Sequence, residues 1–394
     1  MADYKSRCAA VLGATGSVGR QAVDALTALG VRITLLTAGN NIDELLRQFQ
    51  ICLPDAVAVP SRENGEKLKS LLPENVKIYS GDDAVCKSIE ECGADLIVHA
   101  ISGMAGIPAA LTAAKTGARV AMANKEAIIS AGHLIYELLQ KSGGELIPVD
   151  SEHSAIFQCL TAHRAERLST PADSSDVRRI LLTASGGPFF GKTRAKLEDV
   201  TPQMALAHPT WKMGQKITID CATLMNKGFE LIEACRLFGV TPEKVEVLIH
   251  RQSIIHSMVE YTDGAVIAQM SYPDMRDCVR YALTYPDRAP FGGEPLDFPK
   301  IGTLTFHRPD TAAFPLLSAA AFAWEMGGTA PASLIAADEE AVALFLSGGL
   351  SFNGISDAVL KVMEKVTVLD ASDTESIYAA EKEARNIFKE LYLG

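Results

Sequence analysis

Asp150-Ser151-Glu152-His153 is the stretch of this sequence with the plainest capacity for chemistry. It follows the apolar run Glu145 to Val149, which reads as a strand. In an extended backbone residues two apart face the same side, so both carboxylates would project together from a strand's carboxyl end. Such oxygens suit a hard divalent cation, although a solvated acidic loop contains the same residue types. A second group lies at 226–230, where Asn226 and Lys227 stand four and three residues before Glu230 and share neighbouring helix faces. That turn can present an amide and an ammonium to a phosphate and a carboxylate to a metal. It can equally be a plain Lys–Glu helix pair contributing about 0.2–0.5 kcal/mol.

Other residues with chemical potential are spread along the chain. Lys125, in Ala123-Asn124-Lys125-Glu126, opens a helix where its ammonium could touch both a cofactor and a substrate, or could be an ordinary exposed lysine. Ala207 to Gly214 contains His208 and Trp211 between proline and glycine; such a loop either anchors to the core or closes over a ligand. His256 reads as a structural histidine. Gly13-Ala14-Thr15-Gly16-Ser17-Val18-Gly19 stands between a short apolar strand and a helix. There glycines allow a tight turn and let a pyrophosphate approach the N–H groups of the helix start.

These groups need elements to position them. Strands are expected at 7–12, 31–36, 56–59, 77–79, 95–100, 119–121 and 145–149, with helical stretches between. That alternation means a parallel, doubly wound sheet that binds ligands beyond its carboxyl ends. The second strand runs into Gly39-Asn40-Asn41 with no carboxylate for a ribose 2′-hydroxyl, which suits NADP better than NAD. A helix is expected from Ser154 to Arg167 and another from Asp220 to about Phe238, with further strands at 180–183, 245–249, 254–261 and 265–270. Five prolines between Pro286 and Pro309 mark an extended linker, and helices near 312–326, 331–346, 355–365 and 373–391 read as a supporting layer without chemistry of its own. The expected class is therefore α/β. A Rossmann-like cofactor domain (1–149) precedes an α+β catalytic domain (150–285), a linker (286–311) and a C-terminal helical bundle (312–394).

A net charge of −11 argues against sequence-independent binding to nucleic acid or anionic membrane, so an anionic substrate requires locally gathered positive charge. The polar start and the lack of a spanning stretch suggest a cytoplasmic protein, and the eight cysteines, with no metal-ligand spacing, read as reduced thiols.

Taken together, G-A-T-G-S-V-G, A-N-K-E, V-D-S-E-H, A-S-G-G-P, H-P-x-W-x-M-G, N-K-G-x-E and Q-S-I-I-H-S resemble the 1-deoxy-D-xylulose 5-phosphate reductoisomerase family, in the family's order across 13–256. The resemblance implies an NADPH-dependent homodimer using Mn²⁺, Mg²⁺ or Co²⁺ that forms 2-C-methyl-D-erythritol 4-phosphate for isoprenoid synthesis. It assigns Asp150, Glu152 and Glu230 to the metal, and Lys125, Ser151 and Glu152 to the hydroxyl end of the substrate. It assigns Ser185, His208, Asn226 and Lys227 to the substrate phosphate, and Trp211 to a closing loop. Thr15, Gly16, Ser17, Val18, Gly39, Asn40, Asn41, Asn124, Glu126 and Gly214 would line the NADPH site. Two positions depart from the family pattern: Cys221 replaces a phosphate-binding serine, and Asn40 stands where some members carry lysine. The chemistry agrees with these residues, since rearrangement through retro-aldol cleavage and re-addition places enediolate charge on chelated oxygens.

Two other activities compete. Semialdehyde dehydrogenases share the opening glycine motif but use a cysteine nucleophile, and the best candidate, Cys159, falls inside a helical stretch without a partner histidine. Short-chain dehydrogenases use Y-x-x-x-K, matched only at Tyr378 to Lys382 in the last helix. A cofactor-sensing regulator on this fold would leave the metal and phosphate groups unexplained.

Overall fold

The computed structural model describes residues 7–162, 169–207, 209–210, 213–290 and 293–394. Seven parallel strands form the first sheet: β1 (Cys8–Leu12), β2 (Arg32–Thr37), β3 (Ala56–Val59), β4 (Lys77–Ser80), β5 (Leu96–His99), β6 (Arg119–Met122) and β7 (Glu145–Pro148). They lie in the order β4-β3-β2-β1-β5-β6-β7. Helices α1 (Ser17–Leu29), α2 (Ile42–Cys52), α3 (Arg62–Leu71), α4 (Ala84–Glu91), α5 (Ile107–Lys115) and α6 (Lys125–Ser142) connect them. Because helices cover both faces, the central strands are apolar at nearly every position; Ala9 to Leu12 and Leu96 to Val98 are all buried. The strand order reverses between β1 and β5, and a doubly wound sheet opens its ligand crevice there.

The Gly13–Gly19 turn fills that switch point. Gly13 has φ +80°, and a Cβ on it would lie 2.5 Å from the Ala100 carbonyl oxygen beyond β5. Thr37, at the end of β2, accepts a hydrogen bond from the Gly13 N–H at Oγ1 (3.0 Å). Helix α1 begins without a side-chain cap, so N–H groups of its first turn remain for an anion.

Beyond β7 the chain does not stay extended as expected. Asp150 has φ −52° and ψ 134° at the N-cap position of α7 (Ser151–Leu160), and Glu152 is its second residue. The helix thus starts three residues before the expected Ser154, because the strand stops at Pro148. A second sheet, ordered β11-β10-β8-β9, contains β8 (Val177–Ala184), β9 (Val245–Ile249), β10 (Ile255–Tyr261) and β11 (Val266–Met270). Between β8 and β9 lie the short α8 (Pro202–Ala205), α9 (Gln215–Thr223) and α10 (Met225–Phe238). The single helix expected from Asp220 to Phe238 is two: Leu224, left-handed at φ 62°, breaks it. That break re-aims the chain, so that Asn226, Lys227 and Glu230 leave from a fresh helix start.

After β11 comes a helix absent from the sequence reading, α11 (Met275–Thr284), which packs on α1. Asp274 caps it, accepting from the Arg276 N–H at 2.9 Å. The proline-rich segment contains the short α12 (Phe298–Ile301) and pairs with the second sheet at Ile249 and His307. The last layer holds α13 (Leu316–Met326), α14 (Ala330–Leu346), α15 (Phe352–Met363) and α16 (Thr374–Tyr392), close to expectation. Helix α13 packs on α10, and α14 packs on α6 and α9.

Candidate active site

One cavity of about 990 Å³ joins the switch point of the first sheet to the second sheet and α10. Gly16, Ser17 and Val18 line it, and so do Asp150, Glu152 and Glu230. Lys125 lines it too, from the first position of α6, which Asn124 caps by accepting from the Ala127 N–H at 2.5 Å. An N-cap aspartate usually turns its carboxylate onto its own helix. Asp150 makes no such cap bond; its Oδ2 lies 2.8 Å from Lys125 Nζ instead.

Lys125 also donates to Asn226 Oδ1 (2.7 Å) and lies 3.7 Å from Glu230 Oε1. Lys227 reaches Glu152 Oε1 at 2.8 Å and also donates to Glu230 Oε2. Oxygen atoms of Asp150, Glu152 and Glu230 all lie within 4.8 Å of one another, which a divalent cation with oxygen ligands can bridge. Two lysines against three carboxylates leave about one negative charge, so the donor set fits a hard cation with local compensation nearby.

The electrostatics point the same way. Glu230 is 1% exposed, and burial followed by the neighbouring Glu152 charge pushes its carboxyl up to about 8. Burial alone would also raise Asp150, but the Lys125 ammonium beside it outweighs that and holds the carboxyl well below its usual range. Burial would lower Lys125, and Asp150 and Glu230 keep it charged instead. A cation among the three carboxylates would remove the strain on Glu230, whose ionisation these two lysines do not secure.

The remaining expected residues divide. Ser151, Ser185, Cys221, Asn226, Lys227, Glu126 and Gly214 line the cavity. Ser185 and Cys221 are brought together because Gly187, at φ +62°, lets its turn press against α9; a Cβ there would meet the Cys221 carbonyl oxygen at 2.7 Å. Arg251, which the sequence did not mark, braces that turn through the Ser185 and Gly187 carbonyls at 2.7 and 2.5 Å. Burial raises the Cys221 thiol, so it is neutral and a weak donor. Gly39, Asn40 and Asn41 are exposed beyond β2, outside the cavity wall, and Asn41 caps α2 by accepting from the Glu44 N–H at 3.1 Å. Thr15 stands in the glycine turn, also outside that wall. Asn124 is taken up by its cap and by the carbonyls of Ile101 and Gly103, so it shapes the crevice. His256 is buried on the cavity wall with Nε2 3.2 Å from the Ser271 carbonyl. His208 and Trp211 lie outside the described residues. Thr37, which steadies the glycine turn, and Lys216 and Glu339, which line the cavity, were also unmarked. Thr37 meets Gly13 from 24 residues away and Lys216 meets Asp338 from 122 away, and spacing carries no signal of that.

Fold and site together define a dinucleotide-fold protein whose switch-point crevice opens onto a cluster of carboxylates and lysines. Sequence models described as 1-deoxy-D-xylulose 5-phosphate reductoisomerase match residues 9–132, and models of its C-terminal domains match 146–238 and 270–387. Curated relatives of that name come from Caldanaerobacter subterraneus subsp. tengcongensis (44% identical; 97% of this chain and 98% of the relative) and Bacteroides fragilis (42%; 99% of each). A solved structure described as the Zymomonas mobilis enzyme in complex with NADPH is 40% identical, with a TM-score of 0.90 over 98% of this chain and 99% of that one. Another, described as DOX-P reductoisomerase in complex with NADPH, fosmidomycin and magnesium, is 34% identical, with a TM-score of 0.87 over 98% of each chain. This chain belongs to the 1-deoxy-D-xylulose 5-phosphate reductoisomerase family.

Proposed function

We infer that this protein converts 1-deoxy-D-xylulose 5-phosphate to 2-C-methyl-D-erythritol 4-phosphate, using NADPH and a divalent cation, in the non-mevalonate isoprenoid route. The observation that carries this reading is the convergence of Asp150, Glu152 and Glu230 with Lys125 and Lys227 in a cavity continuous with the glycine turn. When bound, NADPH would supply the hydride, and the cation, Mn²⁺, Mg²⁺ or Co²⁺, Lewis acidity toward the substrate's oxygens.

The chain's own residues perform the rest. Gly16, Ser17 and Val18 hold the cofactor's phosphates at the start of α1. Lys125 and Ser151 orient the hydroxyl end of the substrate, and the charge of Lys125 opposes that developing on its oxygens. Ser185, Cys221, Asn226 and Lys227, with His208, bind the phosphate and so fix the carbon chain against the metal ligands. The segment around 207–215, with Trp211, excludes water that would otherwise protonate the enediolate. Residues 1–149 serve the cofactor, 150–285 the metal and substrate, and 312–394 support both across the 286–311 linker.

We also infer a homodimer, because β11 is an edge strand with β10 as its one described neighbour and Val266 49% exposed. Mass in solution tests this. No described helix is long and apolar enough to cross a membrane, and we place the protein in the cytoplasm, where fractionation should find it. The central test is NADPH oxidation by the pure protein with 1-deoxy-D-xylulose 5-phosphate, with and without Mn²⁺. Oxidation should require both additions; none in their presence would overturn the reading.

A further inference from the structure

The C-terminal helical layer carries no motif in the sequence, yet it reaches the cavity. Lys216, in the first turn of α9, donates to Asp220 Oδ2 of its own helix and to Asp338 Oδ2 of α14, each at 2.7 Å. Asp338 is fully buried and Asp220 nearly so. The ammonium also sits over the Phe229 ring at 4.7 Å. Both carboxyls have one oxygen, Oδ1, with no hydrogen-bond partner among the described residues. Two buried carboxyls, each 2.7 Å from one ammonium and each with an unpartnered oxygen, are satisfied together when a proton held on Asp220 bridges them.

We propose that Asp338 is a positioning residue of the reaction: with Asp220 and their shared proton it clamps Lys216, and so holds the first turn of α9 as the cofactor-side wall of the cavity. Gly214, Gln215 and Lys216 all line the cavity, and Gly214 is among the residues the family resemblance assigns to NADPH. Gly103 of the crevice faces Glu339, the neighbour of Asp338; a Cβ on Gly103 would lie 3.6 Å from Glu339 Oε1. The proposal rests on the functional reading above and adds a residue that touches neither substrate nor metal.

The clamp has a pH signature. Burial, then the Asp338 charge, raises Asp220 well above its ordinary value, so the folded state holds the proton and the clamp loosens as rising pH removes it. The other charges facing Lys216 are Glu126 on α6 and Glu339 on α14, and Glu339 is itself paired with Arg385 of α16. Asparagine at 338 could donate its amide to Asp220 and accept from Lys216, which removes the need for the proton.

The test is direct NADPH titration of the intact protein, alongside steady-state kinetics, for wild type, Asp338→Ala and Asp338→Asn. Asp338→Ala should weaken NADPH binding and raise its KM by about threefold or more, with kcat within about twofold. Asp338→Asn should restore binding and abolish the weakening that rising pH is expected to produce in wild type. An alanine variant that binds normally, an asparagine variant no better than alanine, or wild-type binding whose pH dependence matches that of Asp338→Asn would each overturn the clamp. If Asp338→Ala does not fold, the pH dependence of wild type against Asp338→Asn decides alone. Lack of turnover by wild type would instead count against the functional reading, since the titration needs no substrate.

Discussion

Glu230→Gln isolates the metal site with almost no change of shape. The glutamate is 1% exposed, accepts from Lys227 at Oε2 and from Asn226 Nδ2 at Oε1 (2.5 Å), and has Lys125 3.7 Å away. Glutamine keeps the volume and can still accept from Lys227, but removes one of three charges facing the cation. Unit charges about 4 Å apart interact by about 4 kcal/mol at an effective dielectric of about 20, and the cation is divalent. Against this stands the cost of ionising Glu230, whose carboxyl is pushed up to about 8 in the metal-free fold. The net loss should fall at about 3–5 kcal/mol, or roughly two to four decades of metal affinity. Thermal unfolding with and without Mn²⁺, NADPH titration and turnover at limiting metal report it separately. Metal-free Glu230→Gln should be at least as stable as wild type, because it loses the cost of ionising a buried carboxyl, Mn²⁺ should no longer raise its Tm, and NADPH should bind normally, because Glu230 is no part of the glycine turn. Turnover should drop by about 100-fold or more. Normal stabilisation by Mn²⁺ together with near-normal turnover would refute the assignment of Glu230 to the metal.

Four further outcomes are expected. The metal-free protein should lose stability as pH rises from 4.5 through about 8, because Glu230 binds its proton more tightly folded than unfolded; a calorimetric series in chelator, with Mn²⁺ removing the decline, checks it. Cys221→Ser should leave kcat intact and lower the substrate KM by at most about tenfold, or leave it unchanged, since a hydroxyl donates better to phosphate than this neutral thiol; a tenfold rise would mean the site needs sulfur's bulk. Gly19→Ala should abolish NADPH binding or folding, because its Cβ would lie 2.2 Å from the Gly13 carbonyl oxygen; normal titration would show that the turn has slack. Trp211→Phe should erase the fluorescence change on substrate binding, because Trp324 is held over Arg236 at 4.7 Å in the helical layer; a surviving signal would take Trp211 off the closing loop.

Much of this protein is legible in its residues, because the information is local. Apolar runs of strand length between helical stretches specify a buried parallel sheet, and β3 and β9 end where the sequence places them. The glycine turn, the acidic pair and the Asn226–Glu230 turn are recognisable because their chemistry depends on near neighbours. Local reasoning failed where two conformations satisfy the same residues. Asp150 and Glu152 would converge on a strand, yet here they converge across a helix start, since Asp150 pairs with Lys125 instead of capping its helix. The break at Leu224 carries no glycine or proline to announce it. Helix α11 went unread although α1 is its packing partner, and it lies more than two hundred residues from α1.

Only the tertiary structure decided which charges meet. Lys125 and Asn226 are 101 residues apart and Lys216 and Asp338 are 122 apart, and no periodicity spans such distances. The sequence alone determined which groups this protein possesses: three carboxylates, the lysines to balance them, and a glycine turn for a dinucleotide. Folding determined how far each is buried, and burial sets whether a carboxyl is ionised, shares a proton or waits for a cation. The same aspartate side chain is held well below its usual range beside Lys125 and well above it beside Asp338. Desolvation and neighbouring charge act through space, and only the packed chain fixes that space.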